Sequence, residues 1–524
     1  MEPGHLLPIE WAMMVCFVAG VLSWGIYMKG RITDLSDSFL AGRKVPGVVA
    51  SISAIATNFN TNDFIGGVGA AYAMGFVMVH ANLMSCFILV FLSLFFLKKV
   101  RAANIFTLGE WLRKRYSDTV GNIYSMLWAF VWMLVNLGLY IYSGALVLHT
   151  LVGWNLYVSI VLLTVIAATY TLLGGFGAVV ATDVLQMVLM FFPYLFLVPR
   201  IWIAAGGISG IVSDTPHELT DIWTSGSPFG NIGIVLTGAF LLSMSYWSSE
   251  AQMIQRPLSA KSVNDAAVSY IGVGFWHAFL SPLIIVIPGI AAVKLYPGLS
   301  NNDFAMPMLI SDLIPRGLYG VTIVGLMAGF LSSADSQINA FCTMFTKDIY
   351  QHLVSRDRST EHYLNVSKIA GGIFTAAAIA TAVLFSFAKH GMMLMALSVL
   401  ATIMPPSAVV IILGALWKGA GKTGALWGLI TGFTAGIFLI ILDITGLLSS
   451  VAENTMYFRS AVTFLVTIIV TVLVSLIIHE PSPEMEIESV KEESPARLFE
   501  NPKFLSVLLL LAAVSMYLFL TLAF

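Results

Sequence analysis

Leu331, Ser332, Ser333, Ala334, Asp335 and Ser336 lie in an apolar stretch long enough to cross a bilayer, which sets hydroxyls and a carboxylate at membrane depth. Helical spacing puts Ser332 and Ser336 on one face, with Ser333 and Asp335 flanking it. Oxygen ligands converge there without nitrogen or sulfur, a set that suits a hard monovalent cation. Two further polar runs interrupt apolar segments: Thr57, Asn58, Asn60, Thr61, Asn62, Asp63, and Ser243, Ser245, Ser248, Ser249, Glu250. Discontinuous membrane helices at corresponding positions are where transporters build binding sites.

The ionisable groups within or at the edge of the apolar segments read as Asp63, Asp183, Glu250, Asp335 and Asp443, with no Lys or Arg among them. A carboxylate at the centre of a membrane helix costs about 2.5–3.5 kcal/mol on insertion scales, so these acids require protons, hydrogen-bond donors or bound cations. Plainer roles compete with that one. Asp443 near an outer end can reach water, Glu250 suits a surface or a gate, and Asp183, after Gly174 and Gly175, suits a helix cap. His80, His149 and His277 lie singly, without ligand spacing to another His or Cys, and are expected to pack.

The elements that must position these groups follow from composition. With 524 residues, 58% hydrophobic and 10% charged, and a mean hydropathy of +0.88, the chain reads as a polytopic membrane protein. A net charge of -2 leaves no basic field for nucleic acid. Cys16, Cys86 and Cys342 fall in expected spans and imply no disulfide framework. The first apolar run has no basic residue before it and Lys29, Arg31, Arg43 and Lys44 after it, so it reads as a retained helix with the N-terminus outside.

Windows of about 20 apolar residues predict spans near 10–28, 47–74, 77–97, 119–149, 153–172, 178–199, 231–250, 266–293, 317–346, 369–388, 391–417, 424–448, 460–478 and 504–524. That is fourteen, with both termini outside. Of the 26 Lys and Arg, only Arg200, Lys294, Arg316, Lys389 and Arg459 then fall in outside loops, the asymmetry that the positive-inside rule demands.

The expected organisation is an additional helix and inner loop (1–46), a five-helix repeat (47–206), an outside loop (207–230), a second five-helix repeat (231–417), two further helices (418–479), an acidic cytoplasmic linker (480–502) and a C-terminal helix (503–524). Because five is odd, the two repeats insert with opposite orientation. Gly421, Lys422 and Thr423 end like a phosphate-binding loop, but Leu416 occupies the place of its first glycine.

Taken together, Gly325 to Ala328, Ser332, Ser333, Asn339, Phe345, Thr346, Asp348, Ile349 and Tyr350 closely resemble the signature helix of the sodium/solute symporters. Phe39 to Arg43, the run from Gly174 to Gln186, and Tyr246, Trp247, Gln255, Arg256, Ala260 and Lys261 match that family in order. Pro288 to Ala292 with Tyr296 and Pro297 look most like its sodium–glucose branch. The resemblance implies an all-α leucine-transporter-like core of inverted repeats with broken first helices.

It also implies a sodium site formed by backbone carbonyls of Ala56, Phe59 and Gly329 with the hydroxyls of Ser332 and Ser333. Some members add a second sodium, which here would use Asp183, Asp335 and Ser336. Sugar-transporting members carry a glutamine or histidine at the place of Asp63, a glutamate at Asn82, a lysine at Ala278 and a glutamine at Leu397, so all four positions differ. Asn58 and Tyr246 match.

The expectation is a secondary transporter in a plasma or bacterial inner membrane, coupling sodium entry to uptake of a small polar solute, a sugar or polyol first. Asn58, Asp63, Asn82, Tyr246 and Glu250 are the expected solute residues. An amine-bearing solute or a carboxylate, and a non-transporting solute sensor on the same scaffold, are the alternatives. Proton coupling would leave the paired serines without a purpose. No nucleophile, base and orienting group recur at a spacing that suggests an enzyme.

Overall fold

The computed structural model describes residues 6–223, 232–315, 317–387, 392–448, 455–480 and 500–523. These residues are helical, apart from connecting turns and an isolated parallel bridge between Val45 and Ala260. Among them ten helices are long and apolar enough to cross a membrane, or eleven if the bent pair Val263–Leu280 and Pro282–Leu295 forms one span.

The first interrupted run forms a broken helix. Gly47–Asn58 ends where Phe59 turns to φ -94, ψ 96, and helix resumes from residue 61. The run of amides supplies what the break removes. Asn60 donates through Nδ2 to the carbonyls of Thr57 (3.0 Å) and Asn58 (3.3 Å), its Oδ1 accepts from the Asn62 amide (2.8 Å), and Asp63 accepts from the Asn60 amide (3.2 Å). Short polar side chains that bond their own backbone let a helix stop in an apolar medium.

The second run behaves alike. Ile232–Ser249 ends at Glu250 (φ -68, ψ 114), and Ala251–Ser259 continues beyond it. The carbonyls of Trp247 and Ser249 accept from the hydroxyls of Tyr270 and Tyr124, both at 2.9 Å.

The expected spans 153–172 and 178–199 are joined in Leu156–Phe191, which holds a non-helical residue, Gly175, at φ +62. Thirty-six residues at 1.5 Å each exceed a hydrocarbon core of about 30 Å. The left-handed Gly175 is the bend that reconciles the two, and a Cβ there would also lie 3.0 Å from the Ser38 carbonyl.

The signature helix, Tyr319–Met344, is buried almost throughout. Peripheral helices are not: Lys422–Ile444 exposes Trp427, Ile437, Phe438 and Ile441, and Thr455–Ile478 exposes Leu465, Ile469, Leu473 and Leu476. Those apolar faces are the ones lipid solvates. Between these two helices, Gly424, Gly428 and Gly432 lie so close to Ser475, Thr471 and Thr467 that a Cβ would meet each hydroxyl at 1.9–2.1 Å.

Two expectations change, and a third lies beyond the described residues. Within the expected outside loop 207–230, Gly207–Asp214 and His217–Thr220 are helical, and Asp214 pairs with Lys294 at 2.9 Å. Those lysine hydrogen bonds hold the Asp214 carboxyl below its usual range. Asp443 pairs with Arg459 at 3.2 Å, and Arg459 lies in the first turns of Thr455–Ile478, 2% exposed, where an outside loop was expected. Most of the acidic linker falls outside the described residues.

Candidate functional site

The signature helix crosses the first broken helix at its break. Ser333 Oγ donates to the Thr57 carbonyl at 2.8 Å, Thr57 Oγ1 lies 3.0 Å from Ser336 Oγ, and Thr61 Oγ1 donates to the Leu326 carbonyl. Gly329 packs against the same segment, so that a Cβ would fall 3.1 Å from the Thr61 amide nitrogen. Ala56, Phe59, Ser332 and Ser333 are all buried. Of the five residues expected to hold sodium, Ser333 and Gly329 thus meet the broken helix directly, Ala56 and Phe59 flank the engaged Thr57–Asn58 stretch, and the Ser332 hydroxyl turns to Asp183; hydroxyl and carbonyl oxygens are the ligands on offer. Such an all-oxygen set fits a hard monovalent cation. Thr57, whose carbonyl Ser333 engages, is absent from the expected ligand set.

Asp183, Asp335 and Ser336 also converge, but around a group expected outside the spans. Arg256 was expected in an inside loop. The structure carries it on Ala251–Ser259, the continuation of the second broken helix, with its side chain fully buried and Nη2 3.3 Å from Asp183 Oδ2. The expectation of acids without internal basic partners is thus corrected.

Asp183 also accepts from Ser53 Oγ (2.5 Å) and from Ser332 Oγ. Arg256 donates to Ser336, Thr57 and Ser53, and to the Gln252 carbonyl at 2.7 Å. Asp335 accepts from Tyr170 and, at 3.1 Å, from Ser336. One guanidinium thus serves a pair of buried carboxylates. Ser332, whose hydroxyl donates to Asp183, and Ser336, whose hydroxyl lies 3.0 Å from Thr57 Oγ1, link this cluster to the break of the first broken helix.

Beside the break lies a cavity of about 180 Å³. Asn58, Asp63, Asn82 and Tyr246 line it, as expected, and so do Asn60, Asn62, Trp132, Asn136, Tyr140, Trp247 and His277. Tyr246 donates to Asn58 Oδ1 at 3.0 Å, which ties the two broken helices across the cavity. His277 bridges Asn82 Oδ1 (3.0 Å) and Asn58 Nδ2 (3.4 Å). A packing histidine was expected, whereas this imidazole orients two amides of the cavity wall. By contrast, His80 packs as expected, against Tyr517 and the Ile222 carbonyl.

Glu250 is the one expected solute residue that does not line the cavity. Its Oε2 accepts from Trp132 Nε1 at 2.6 Å, so it holds the indole from behind. The break at Glu250 turns its side chain away from the lining formed by Ser243, Tyr246 and Trp247.

The model of the sodium:solute symporter family matches residues 38–432. Among curated relatives, sodium/myo-inositol cotransporter 2 of Oryctolagus cuniculus is 28% identical over 93% of this chain and 78% of its own length. The sodium/glucose cotransporter of Vibrio parahaemolyticus is 28% identical over 82% of this chain and 85% of its own. In fold, the chain is similar to a substrate-bound, outward-open Na+-coupled sialic acid symporter (TM-score 0.77, 21% identity, 90% of this chain and 98% of that one). It is also similar to a nucleobase-cation-symport-1 family transporter in a closed conformation (TM-score 0.55, 15% identity, 85% and 96%). A family match that spans both broken helices, the signature helix and the cavity between them leaves one assignment: this chain is an integral membrane protein of the sodium:solute symporter family, and it performs sodium-coupled solute uptake.

Proposed function

We propose that the solute is a small polyhydroxylated molecule, a sugar or polyol, bound in the cavity between Asn58, Asp63, Asn82 and Tyr246. The observation that carries this reading is the lining itself. Amides that both donate and accept, with one carboxylate and flanking aromatic faces, are the equipment for vicinal hydroxyls. A volume of about 180 Å³ falls below the roughly 300 Å³ of ordinary ligand pockets and favours a compact solute. The names of the inositol and glucose relatives point the same way.

Asp63 supports a second reading, an amine-bearing solute, because it is the carboxylate of the cavity wall. Glu250, engaged by Trp132, gives that reading no further support. Sodium-dependent thermal stabilisation by a panel of sugars, polyols, amines and carboxylates decides between them. Stabilisation by amines alone would overturn the polyol reading.

Sodium binds at Ala56, Phe59, Gly329, Ser332 and Ser333 in this reading, tying the first broken helix to the signature helix and favouring the solute-accepting state. Coupling is then a population shift. Each sodium descending 100 mV and a tenfold gradient supplies about 3.7 kcal/mol, enough for accumulation of several hundredfold. A second sodium at Asp183, Asp335 and Ser336 is supported by their convergence: Arg256 pairs with Asp183 and donates to Ser336, whose hydroxyl in turn donates to Asp335.

The frame for this cycle is fourteen spans with both termini outside, in which 47–206 and 231–417 are inverted five-helix repeats. The breaks at Phe59 and Glu250, near the start of each repeat, support it.

A further inference from the structure

A chain of hydrogen bonds at one wall of the cavity ends in two open polar atoms. Gln252 Nε2 donates to Tyr140 Oη at 2.9 Å, Asn136 Nδ2 donates to the same hydroxyl at 3.1 Å, and Asn136 Nδ2 also reaches Gln337 Oε1 at 3.1 Å. Asn136 and Tyr140 line the cavity, whereas Gln252 and Gln337 are fully buried behind them. Gln252 Oε1 and Gln337 Nε2 remain buried without a hydrogen-bond partner.

An unmet buried donor or acceptor costs about 1–3 kcal/mol, and this run of hydrogen bonds ends in one of each. The two ends are complementary to a hydroxyl. Its O–H can donate to Gln252 Oε1 while its oxygen accepts from Gln337 Nε2.

The polar line then continues away from the cavity. Gln255 Nε2 donates to Thr343 Oγ1 at 2.9 Å, and Asn339 Nδ2 donates to Gln255 Oε1 at 3.4 Å. Asn339 in turn lines a second cavity of about 130 Å³, together with Ser38, Ser367, Lys29 and Lys368. Buried amides thus run from the solute cavity to a polar cavity bordered by basic residues that the positive-inside rule assigns to the cytoplasmic side.

We infer that Gln252 and Gln337 form a second hydroxyl-binding subsite, which the solute occupies as it leaves the cavity toward the Lys29–Lys368 side. Its ligands are neutral polyhydroxylated solutes, so the inference rests on the polyol reading. The subsite lowers the barrier to release by offering the departing hydroxyl partners before it reaches water. It adds nothing to solute capture.

The test is uptake of myo-inositol and of glucose by the full chain in proteoliposomes, comparing wild type with Gln252→Met and Gln337→Met, which keep side-chain volume. The expected result is a kcat reduced fivefold or more with KM for solute and for sodium within about twofold, and unchanged sodium-dependent thermal stabilisation as the sign of an intact fold. At least one monodeoxy-inositol should already show the reduced turnover in wild type and lose nothing further in the variants. Unchanged kcat, or a rise in KM without loss of kcat, overturns the subsite. Absence of sodium-stimulated uptake of either probe by wild type overturns the polyol reading instead.

Discussion

Replacing Arg256 by Met removes the only guanidinium within reach of Asp183 among the described residues and leaves two carboxylates buried near one another. At the observed 3.3 Å and an effective dielectric of about 20, the lost attraction is roughly 5 kcal/mol. Breaking a fully buried pair by removing one partner typically costs about 3–5 kcal/mol, because the remaining charge stays uncompensated. The single variant should therefore lose several kcal/mol in chemical unfolding measured in bicelles. Asp183→Asn in the same chain should return at least half of it.

Sodium provides a second handle on the same cluster. With the guanidinium gone, two carboxylates and Ser336 face one another, so sodium at a hundred times its dissociation constant should restore about 2.7 kcal/mol. Potassium at equal ionic strength is the control. A single-variant loss below about 1 kcal/mol, or a double variant no more stable than the single, would refute the claim that Arg256 compensates the buried acids.

Other outcomes follow from the same geometry. Asp63→Asn should leave polyol uptake within about tenfold of wild type, since an amide still accepts from a hydroxyl, and should abolish uptake of any amine; competition assays with both solute classes separate the two. Sodium activation should give a Hill coefficient above one that Asp335→Ala reduces, and a wild-type coefficient of one at all solute levels counts against a second sodium. Gly175→Ala should lower stability by about 1 kcal/mol or more, because a left-handed residue gains a Cβ against the Ser38 carbonyl; an unchanged unfolding midpoint would show that the bend is not strained.

Much of the site was legible because polarity is conspicuous in an apolar sequence. Ser332, Ser333, Asp335 and the run from Thr57 to Asp63 announce themselves, and the structure brings Thr57 of that run against Ser333 and Ser336. Arg256 was missed for a specific reason. A hydropathy window ends the second broken helix at Glu250, where the backbone does turn, and gives no sign that a buried half-helix continues to Ser259. Such a half-helix packs against protein, so it need not be apolar throughout.

Glu250 misled in the opposite sense. Its place beside the polar run suggested the cavity, but the same turn directs it to the Trp132 indole. His277 and Asn136 carry no local signal, because each is an isolated polar residue in an apolar stretch, whereas Gln252 and Gln337 sit beside Glu250 and Ser336 in polar runs whose other members are more conspicuous; all four become informative only when separate helices bring them to their partners.

The central claim is that sodium joins the first broken helix to the signature helix at Ala56, Phe59, Gly329, Ser332 and Ser333. Sodium titration of solute binding in wild type and Ser333→Ala tests it directly. Loss of one hydroxyl ligand, at about 1.4 kcal/mol, predicts a half-saturating sodium concentration raised roughly tenfold with the protein still folded. Superimposable sodium curves for the two proteins would contradict it.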